Sequence, residues 1–256
     1  MEKKVVFLTE PPRPGSFNMA RDCYLLQILE TEKKRHGFFT LYQFHPACLS
    51  IGRFQQIQPE LEERCKRSGI ELVRRPTGGR AVLHGKHEIT YSLVLPASYG
   101  FQPGQVLTTY RKLKPIFFRV LEYLGVKPDT EDSSSNLKGE NKELCFAAVQ
   151  PPDVTVSGKK AFGNALVWGK KSFLIHGSLY LKFPEQEIIE LYGRATALQL
   201  RKTSFCLKDV RPIPSRNELV FAFKQSLVDA GFTPVDGRLD AKILRSVYKL
   251  SVSFAL

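Results

Sequence analysis

The sequence predicts an α+β fold, in which a largely antiparallel or mixed β-sheet is flanked by helices. Two observations predict this class. The spacing of apolar residues switches repeatedly between the strand period and the helix period, without an internal repeat or a long linker. Residues 153–181 also read as three strands joined by two hairpins. Because 256 residues with 43% hydrophobic content suffice for a full core, we expect one domain over residues 1–256, with the helices from about residue 184 packed on it.

The N-terminal half of the chain is predicted to start with a helix. Asn18 is a suitable cap for a helix that runs to about residue 35, and Gly37 is a suitable stop. Strands and one short charged helix are predicted to follow. The strands lie at 38–44, 47–54, 70–75, 81–84 and 88–96, and the charged helix lies at 59–69.

The C-terminal half is predicted to contain a long helix, a loop, the two hairpins and further helices. The long helix covers about residues 106–124, and Pro115 is expected to disturb it. Residues 129–143 contain one strongly apolar residue and are predicted to form a mobile surface loop. The hairpins turn at Ser157-Gly158 and at Gly169-Lys170. Two or three helices, one of them at about 216–230, are predicted to close the chain.

The chain is strongly basic, with 38 Lys and Arg against 25 Asp and Glu and a net charge of +13. This excess attracts acidic partners in a salt-dependent way, and charge alone leaves an acidic protein, a nucleic acid or an anionic membrane as alternatives. The first apolar run, residues 5–8, is too short for a signal peptide, and no later stretch approaches a membrane span, so we expect a cytoplasmic protein. Five cysteines without a CxxC pair predict neither a disulfide framework nor a metal site.

The segment RRPTGGRAVLHG, residues 74–85, lies between two predicted strands. Glycines there let the backbone turn tightly and approach a ligand closely. The chain also contains the motifs NMARD at 18–22, SIGRFQ at 50–55, CF at 145–146, GKKAFGNA at 158–165 and HGSLYL at 176–181. In this order the motifs resemble the lipoate/octanoate protein ligase and transferase family. The resemblance implies the biotinyl/lipoyl protein ligase-transferase catalytic domain fold.

Within that family, Gly78-Gly79-Arg80 resembles the LipM-type octanoyltransferases, whereas adenylating lipoate ligases typically have three glycines here. The resemblance implies an acyltransferase of lipoate biosynthesis. Its donor would be octanoyl-acyl carrier protein, and its acceptor a lysine of a lipoyl domain such as the glycine cleavage H protein. It implies no cofactor, no metal, and no nucleic-acid or membrane partner.

Three alternatives stay open at this point. An ATP-dependent lipoate-protein ligase and an amidotransferase that moves octanoyl or lipoyl groups between lipoyl domains both belong to the same family. A non-enzymatic nucleic-acid-binding protein is suggested only by charge, because the chain lacks an aromatic stacking motif. That last alternative also leaves Cys145 and the glycine turn unexplained.

The resemblance assigns catalysis to Cys145, as the nucleophile that accepts the acyl group, and to Lys160. A lysine ammonium close to a thiol favours the reactive thiolate. The other four cysteines lie in apolar patterns that are typical of buried, unreactive thiols. The alternatives are a structural cysteine at a strand edge and a lysine that serves only solubility in a hairpin turn.

The resemblance also implies an acyl pocket, in which glycines make room for a fatty chain and the run AVL supplies part of the wall. His84 and His176 are expected to be hydrogen-bonded structural residues and not bases. The chain departs from the family at Asn164 and Leu166, where relatives usually have Ser and Gln. The implied substrate-binding residues are Arg75, Thr77, Gly78, Gly79, Arg80, Ala81, Val82, His84, Gly163, Ala165, His176 and Gly177.

Overall fold

The structure is a computed structural model that describes residues 2–32, 36–130, 143–148 and 153–256. Its strands are β1 (Lys4–Thr9), β2 (Gly37–Tyr42), β3 (Cys48–Ile51), β4 (Glu71–Arg74), β5 (Val82–His84), β6 (Glu88–Pro96), β7 (Thr155–Val156), β8 (Lys159–Lys160), β9 (Phe162–Trp168), β10 (Ser172–Tyr180) and β11 (Thr233–Asp236). Its helices are α1 (Gly15–Thr31), α2 (Pro59–Arg67), α3 (Val106–Tyr123), α4 (Glu185–Tyr192), α5 (Arg194–Thr203), α6 (Arg216–Asp229) and α7 (Ala241–Ser251).

The central sheet is mixed, as the sequence predicts. Within the described residues its strand order is β11-β1-β2-β6-β10-β9. Strand β1 pairs in parallel with both β2 and β11, whereas the pairs β2–β6, β6–β10 and β10–β9 are antiparallel. A smaller sheet of order β4-β3-β5 lies beside it, and β7 and β8 form a separate two-stranded hairpin.

Helices cover both faces of the central sheet, so alternate residues of one strand enter different clusters. Leu93 of β6 packs with Phe117 of α3 and Phe223 of α6 on one face. Its neighbour Val94 packs with Leu25 of α1 on the other face, where α7 also lies against α1. The central strands are buried on both sides for this reason, and they hold the site residues on a rigid base.

Helix α1 begins earlier than predicted. It begins at Gly15, so Asn18 lies inside the helix and is not its cap. The Asn18 side chain is fully buried. Its amide nitrogen donates to the backbone carbonyls of Arg13 and Gln43, both 3.2 Å away. Asn18 therefore joins the helix to the loop after β2, a role that its local sequence does not reveal.

Parts of two predictions lie outside the described residues. Helix α1 ends at Thr31, and its predicted end near residue 35 falls in the undescribed residues 33–35. Gly37 is the first residue of β2 and not the stop of the helix. Most of the loop predicted at 129–143 also falls outside the described residues.

Strands β1 and β11 were not predicted as strands. The sequence shows β1 only as a short apolar run, and β11 reads TPVD, with a proline and two polar residues. Pro234 is tolerated because β11 is the edge strand beyond β1. Both strands become recognisable only through their pairing with each other and with β2.

Several other boundaries agree with the sequence or refine it. Helix α3 continues through Pro115, which does not interrupt it. The predicted hairpin turn at Ser157-Gly158 is confirmed, with φ of 52° and 73°, and Gly169-Lys170 connects β9 to β10. The predicted strand between the turns is divided into β8 and β9. After residue 184 the described chain forms four α-helices, whereas the sequence predicted two or three.

No helix in the described part of the chain has the length and apolar character needed to cross a bilayer.

Candidate active site

Cys145 is the first residue of a short 3₁₀ turn. The described chain resumes just before this turn, after residue 142. The Cys145 backbone N–H donates to the Ala81 carbonyl at 2.9 Å, and the Ala81 N–H donates to the Glu143 carbonyl at 2.8 Å. This pair of hydrogen bonds holds the cysteine against the segment that carries the glycine turn. Cys145 is half-buried, and two cavities meet at it.

The first cavity, which we call the inner cleft, is narrow. The space open to the centre of a water molecule is about 30 Å³. Most of the wall surface that faces the cavity is formed by apolar atoms, although many of the lining residues have polar side chains. It is lined by Met19, Tyr42, Phe44, Ser50, Arg75, Gly79, Val82, His84, Thr90, Cys145, Gly163, Asn164, Ala165, His176, Gly177 and Ser178.

The second cavity, which we call the outer mouth, is wide. The corresponding space is about 530 Å³. It is lined by Gly79, Arg80, Val106, Leu107, Tyr110, Cys145, Ala148, Asp153, Lys160 and Asn164. Cys145, Gly79 and Asn164 line both cavities, so the thiol lies at the junction between a narrow space and an open one.

Lys160, on the β7–β8 hairpin, is buried and only 5% exposed. Its Nζ lies 2.9 Å from Asp153 Oδ2, and Lys160 and Cys145 both line the outer mouth. Burial lowers the pKa of the Lys160 ammonium, but the negative charges of the Cys145 thiolate and of Asp153 outweigh burial and raise it above its ordinary value. The ammonium therefore stays charged at neutral pH beside the sulfur.

Arg75 braces the glycine turn from inside the protein. Its Nη2 donates to the carbonyls of Gly78 and Arg80, both at 2.8 Å, and its Nη1 donates to the Ser50 carbonyl at 2.9 Å. Burial lowers the pKa of the guanidinium, although the negative charges of Cys145 and Tyr110 oppose this. The three carbonyls fix the shape of the turn around one planar group.

A hydrogen-bonded relay connects Arg75 to helix α1. Arg75 Nε donates to Thr77 Oγ1 at 3.1 Å, and Thr77 Oγ1 lies 2.7 Å from His176 Nε2. His176 Nδ1 lies 3.3 Å from Asp22 Oδ2. Because Asp22 accepts from Nδ1–H, Nε2 is free to accept the Thr77 proton. Burial lowers the pKa of His176, which keeps this imidazole neutral.

Asp22 is fully buried and receives further donors. Burial raises the pKa of its carboxyl, but Arg21 and His176 hold the pKa below its ordinary value. Arg21 Nη2 donates to Asp22 Oδ1 at 2.8 Å, and the hydroxyls of Tyr42 and Ser92 donate at 2.9 and 2.8 Å. The relay therefore ends at a carboxylate whose charge is compensated within the core.

A second relay, through Ser50 and His84, also lines the inner cleft. His84 Nδ1 donates to Glu88 Oε1 at 2.6 Å, and His84 Nε2 lies 2.8 Å from the Ser50 hydroxyl. The imidazole stacks on Phe44 with ring centroids 4.1 Å apart. The expectation that His84 and His176 are hydrogen-bonded residues is thus confirmed for both.

Glycines let backbone segments approach each other around the cysteine. Gly79 has φ of +93°, a conformation that side chains rarely adopt. A Cβ on Gly52 would lie 1.9 Å from the Gly79 carbonyl oxygen. A Cβ on Gly163 would lie 2.6 Å from the Phe146 ring. These positions require glycine because of neighbouring protein atoms, whether or not a ligand is bound.

The chain is similar to known proteins over most of its length. The family described as "Lipoyl protein ligase A/B catalytic domain" matches residues 14–209. The octanoyltransferase LipM of Lysinibacillus sphaericus is 35% identical over 193 residues, which are 73% of this chain and 69% of that protein. The chain belongs to this family.

Two further comparisons agree with that assignment. The octanoyltransferase LipM of Geobacillus kaustophilus is 36% identical over 185 residues, 70% of this chain and 66% of that protein. The chain thus spans about two thirds of the length of both relatives. The bi-partite lipoate protein ligase of Thermoplasma acidophilum has a TM-score of 0.72 at 18% identity, covering 98% of this chain and 92% of that one. At that identity the likeness shows the family fold, as the sequence motifs predict.

The family fold brings most of the sequence-predicted site residues to the two cavities. Those that line the inner cleft, the outer mouth or both are Cys145, Lys160, Arg75, Gly79, Arg80, Val82, His84, Gly163, Ala165, His176 and Gly177. Thr77, Gly78 and Ala81 line neither cavity. Thr77 and Gly78 are partners of Arg75, and Ala81 anchors the backbone of Cys145. These three residues affect the site through the site residues that they contact.

Several site residues were missed by the sequence analysis. Tyr110 and Asp153 line the outer mouth, and Asp22 and Glu88 anchor the two histidines. Asp22 lies in the quoted motif NMARD, so the motif itself was a usable signal. Tyr110 carries no such signal, because it is one polar residue in an amphipathic helix.

The other four cysteines differ from Cys145 in their surroundings. Burial raises the pKa of Cys65 to about 11 and that of Cys206 to about 12. Burial also raises the pKa of Cys23 and of Cys48.

No three His, Cys, Asp or Glu side chains within the described ranges are grouped to hold a metal ion.

Proposed function

We propose that this chain is an octanoyltransferase that works through a thioester on Cys145. The observation that carries the proposal is the position of this thiol, at the junction of the two cavities and in the same outer mouth as the buried Lys160 ammonium. The relatives named octanoyltransferase LipM support octanoyl as the acyl group. Octanoyl-acyl carrier protein is the proposed donor, and a lysine of a lipoyl domain, such as that of the glycine cleavage H protein, is the proposed acceptor.

In the first step, the Cys145 thiolate attacks the carbonyl carbon of the donor thioester. A new carbon–sulfur bond forms, the carrier's carbon–sulfur bond breaks, and the carrier thiolate leaves and takes a proton from water. The Lys160 ammonium stabilises the attacking thiolate and the oxyanion that develops in the transition state. The raised pKa of Lys160 suits this role, because the group remains a cation at neutral pH.

In the second step, the acceptor amine attacks the thioester on Cys145. A carbon–nitrogen bond forms, the thiolate of Cys145 is released, and the amine loses a proton. Exchange of one thioester for another is close to isoenergetic, whereas formation of the amide makes the sequence favourable. No nucleotide is needed in either step.

The inner cleft is the proposed site of the acyl chain. Burial of about six methylene groups at ~0.8 kcal/mol each provides roughly 5 kcal/mol of binding. Val82, Gly163 and Ala165 supply apolar or side-chain-free lining next to the cysteine. The departure at Asn164 lies at the junction, where its Oδ1 accepts from the Tyr91 hydroxyl at 2.6 Å.

We further propose that the chain acts as one catalytic domain in the cytoplasm. Helices α6 and α7 pack against α3 and α1 on opposite faces of the central sheet. All five cysteines are free thiols, which is the state that a reducing compartment maintains.

Intact-mass spectrometry after incubation with octanoyl-acyl carrier protein tests the proposal. We expect one octanoyl adduct per chain without ATP, and none in Cys145→Ser. Cys23→Ser is the matched control, because Cys23 is the other half-buried cysteine. An undiminished adduct in Cys145→Ser would assign another nucleophile. Product that forms only with ATP and free octanoate or lipoate would identify an adenylating ligase instead.

A further inference from the structure

The outer mouth is bordered by the first turn of helix α3, and that turn leaves two large apolar side chains in solvent. Val106 is 43% exposed and Leu107 is 47% exposed. Tyr110, one turn further along, also lines the mouth. Exposed apolar residues at the rim of a site are typical of contact with a partner.

The exposed face of α3 continues from this rim as a groove of about 320 Å³. The groove is lined by Arg111, Lys114, Pro115, Phe118, Arg119 and Glu122. Residues 107, 111, 114, 118 and 122 follow the three-and-four spacing of one helix face, so the rim and the groove form a single stripe. We call it the α3 stripe.

The α3 stripe is cationic. Its charged residues are three basic ones, Arg111, Lys114 and Arg119, and one acidic one, Glu122. Glu122 is paired with Arg119 at 2.7 Å, and Asp229 of α6 lies 3.9 Å from the same guanidinium. Arg111 is exposed and Lys114 is half-buried, and both line the groove between the paired Arg119 and the mouth. A partner with an acidic surface complements this stripe.

The distance between groove and mouth discriminates between the two proposed protein substrates. Along the helix axis, Arg111 lies about 6 Å and Phe118 about 16 Å from Leu107. A lysine side chain reaches only about 6 Å from its backbone, so an acceptor domain has to sit over the mouth itself. A phosphopantetheine arm contains roughly fifteen bonds in series and spans about 18 Å when extended.

We propose that the α3 stripe docks the acidic carrier protein of the acyl donor, whose prosthetic arm then follows the stripe into the outer mouth. This proposal rests on the proposed function. Long-range attraction between the stripe and an acidic carrier accelerates their encounter, and salt screens it. The docked carrier presents its thioester to Cys145 while its body remains beside the mouth.

The test compares a protein-borne donor with a small one. The double variant R111E/K114E reverses two charges of the α3 stripe and leaves the lining of the mouth unchanged. We expect kcat/KM for acyl-enzyme formation from octanoyl-acyl carrier protein to fall about tenfold or more at low salt. With octanoyl-N-acetylcysteamine, a small thioester without a carrier, we expect less than about a twofold change.

The matched control is K242E/R245E, which reverses two exposed charges on α7, a helix that covers the opposite face of the central sheet. This control should change kcat/KM for either donor by less than about twofold. Raising the salt concentration should lower kcat/KM of the unaltered chain with the carrier donor, and should lower that of R111E/K114E much less.

Three outcomes with R111E/K114E overturn the docking proposal alone. Unchanged kcat/KM of R111E/K114E with the carrier donor means that the stripe does not dock it. Equal losses with both donors mean that the substitutions damage the site. A loss confined to transfer from the acyl-enzyme to the lipoyl domain assigns the stripe to the acceptor. Absence of an acyl-enzyme from either donor in the unaltered chain overturns the proposed function, and the docking proposal with it.

Discussion

The inner cleft and the outer mouth share Cys145 but are built on different principles. The polar groups of the cleft are bonded to other protein groups, as in the relay from Arg75 through Thr77 and His176. The mouth instead contains an ion pair, Lys160 with Asp153, beside a wide opening. In the proposed function, the cleft holds the apolar chain in a fixed shape and the mouth stabilises charge.

Electrostatics separates the two regions in the same way. Burial lowers the pKa of Arg75 and of His176 in the cleft. In the mouth, the negative charges around Lys160 outweigh burial and raise its pKa. Substitutions of the charged groups of the mouth should therefore impair chemistry, and substitutions of the hydrogen-bonded groups of the cleft should mainly impair stability. Three predictions test this difference at the mouth, at the junction and in the cleft.

The largest effect is expected at the mouth. Lys160→Met keeps an apolar side chain but removes the charge, so the rate of acyl-enzyme formation should fall about 100-fold, the loss typical of one electrostatic stabiliser. Alkylation of Cys145 by iodoacetamide at pH 7 should also slow, by about tenfold, because the ammonium no longer stabilises the attacking sulfur. Rapid-quench mass spectrometry and timed alkylation measure the two rates.

Lys159→Met is the matched control, because Lys159 precedes Lys160 on β8 and its side chain is less buried. It should leave both rates within about twofold of the unaltered chain. Normal alkylation together with slow acylation would restrict Lys160 to the substrate carbonyl. If both rates stayed normal in Lys160→Met, the catalytic assignment of this residue would be wrong.

An intermediate effect is expected at the junction, where Gly79 and Gly78 offer a matched pair. Gly79→Ala places a side chain at φ of +93° and a Cβ 3.0 Å from Arg75 Nη2, so the free energy of unfolding should fall by about 1–2 kcal/mol. Gly78→Ala meets no atom within 4 Å of its Cβ and should change stability by less than about 0.5 kcal/mol. Urea denaturation of both variants measures the difference. Equal stabilities would show that the turn does not require glycine at position 79.

The smallest effect is expected in the cleft, from His176→Gln. Loss of one buried hydrogen bond should lower the free energy of unfolding at pH 7.5 by about 1 kcal/mol. The rate of acyl-enzyme formation at a saturating donor concentration should change much less than in Lys160→Met. A loss as large as that of Lys160→Met would contradict the division between the two regions.

The same variant should alter the pH dependence of stability. The folded-state pKa of His176 lies below its ordinary value of 6.5, so the unfolded chain takes up a proton first as the pH falls. The contribution of His176 is therefore complete above pH 6.5 and is lost as the pH falls towards the folded-state pKa. Between pH 7.5 and 5.5, the unaltered chain should lose more stability than His176→Gln. Parallel losses measured by urea denaturation would show that His176 does not titrate in this range.

Local patterns predicted much of the molecule correctly. The apolar alternation of β6 and β10 and the turn residues Ser157-Gly158 act through neighbours in sequence, and both were recognised. Local patterns failed where a residue's role depends on distant partners. Asn18 looks like a helix cap, but its carbonyl partners include Gln43, and only packing brings that residue to it.

The sequence alone determined the elements that depend on short-range chemistry, which are the strands and helices of the mixed sheet and the glycine turn before Arg80. Its resemblance to a family implied the candidate pair Cys145 and Lys160. Tertiary structure alone decided which groups surround that pair. It placed Asp153 on Lys160, Tyr110 at the mouth, and Asp22 opposite His176, from which it is separated by 154 residues. The physical reason is that hydrogen bonds and ion pairs between distant segments form only when buried apolar faces pack together, and residue spacing carries no record of those distances.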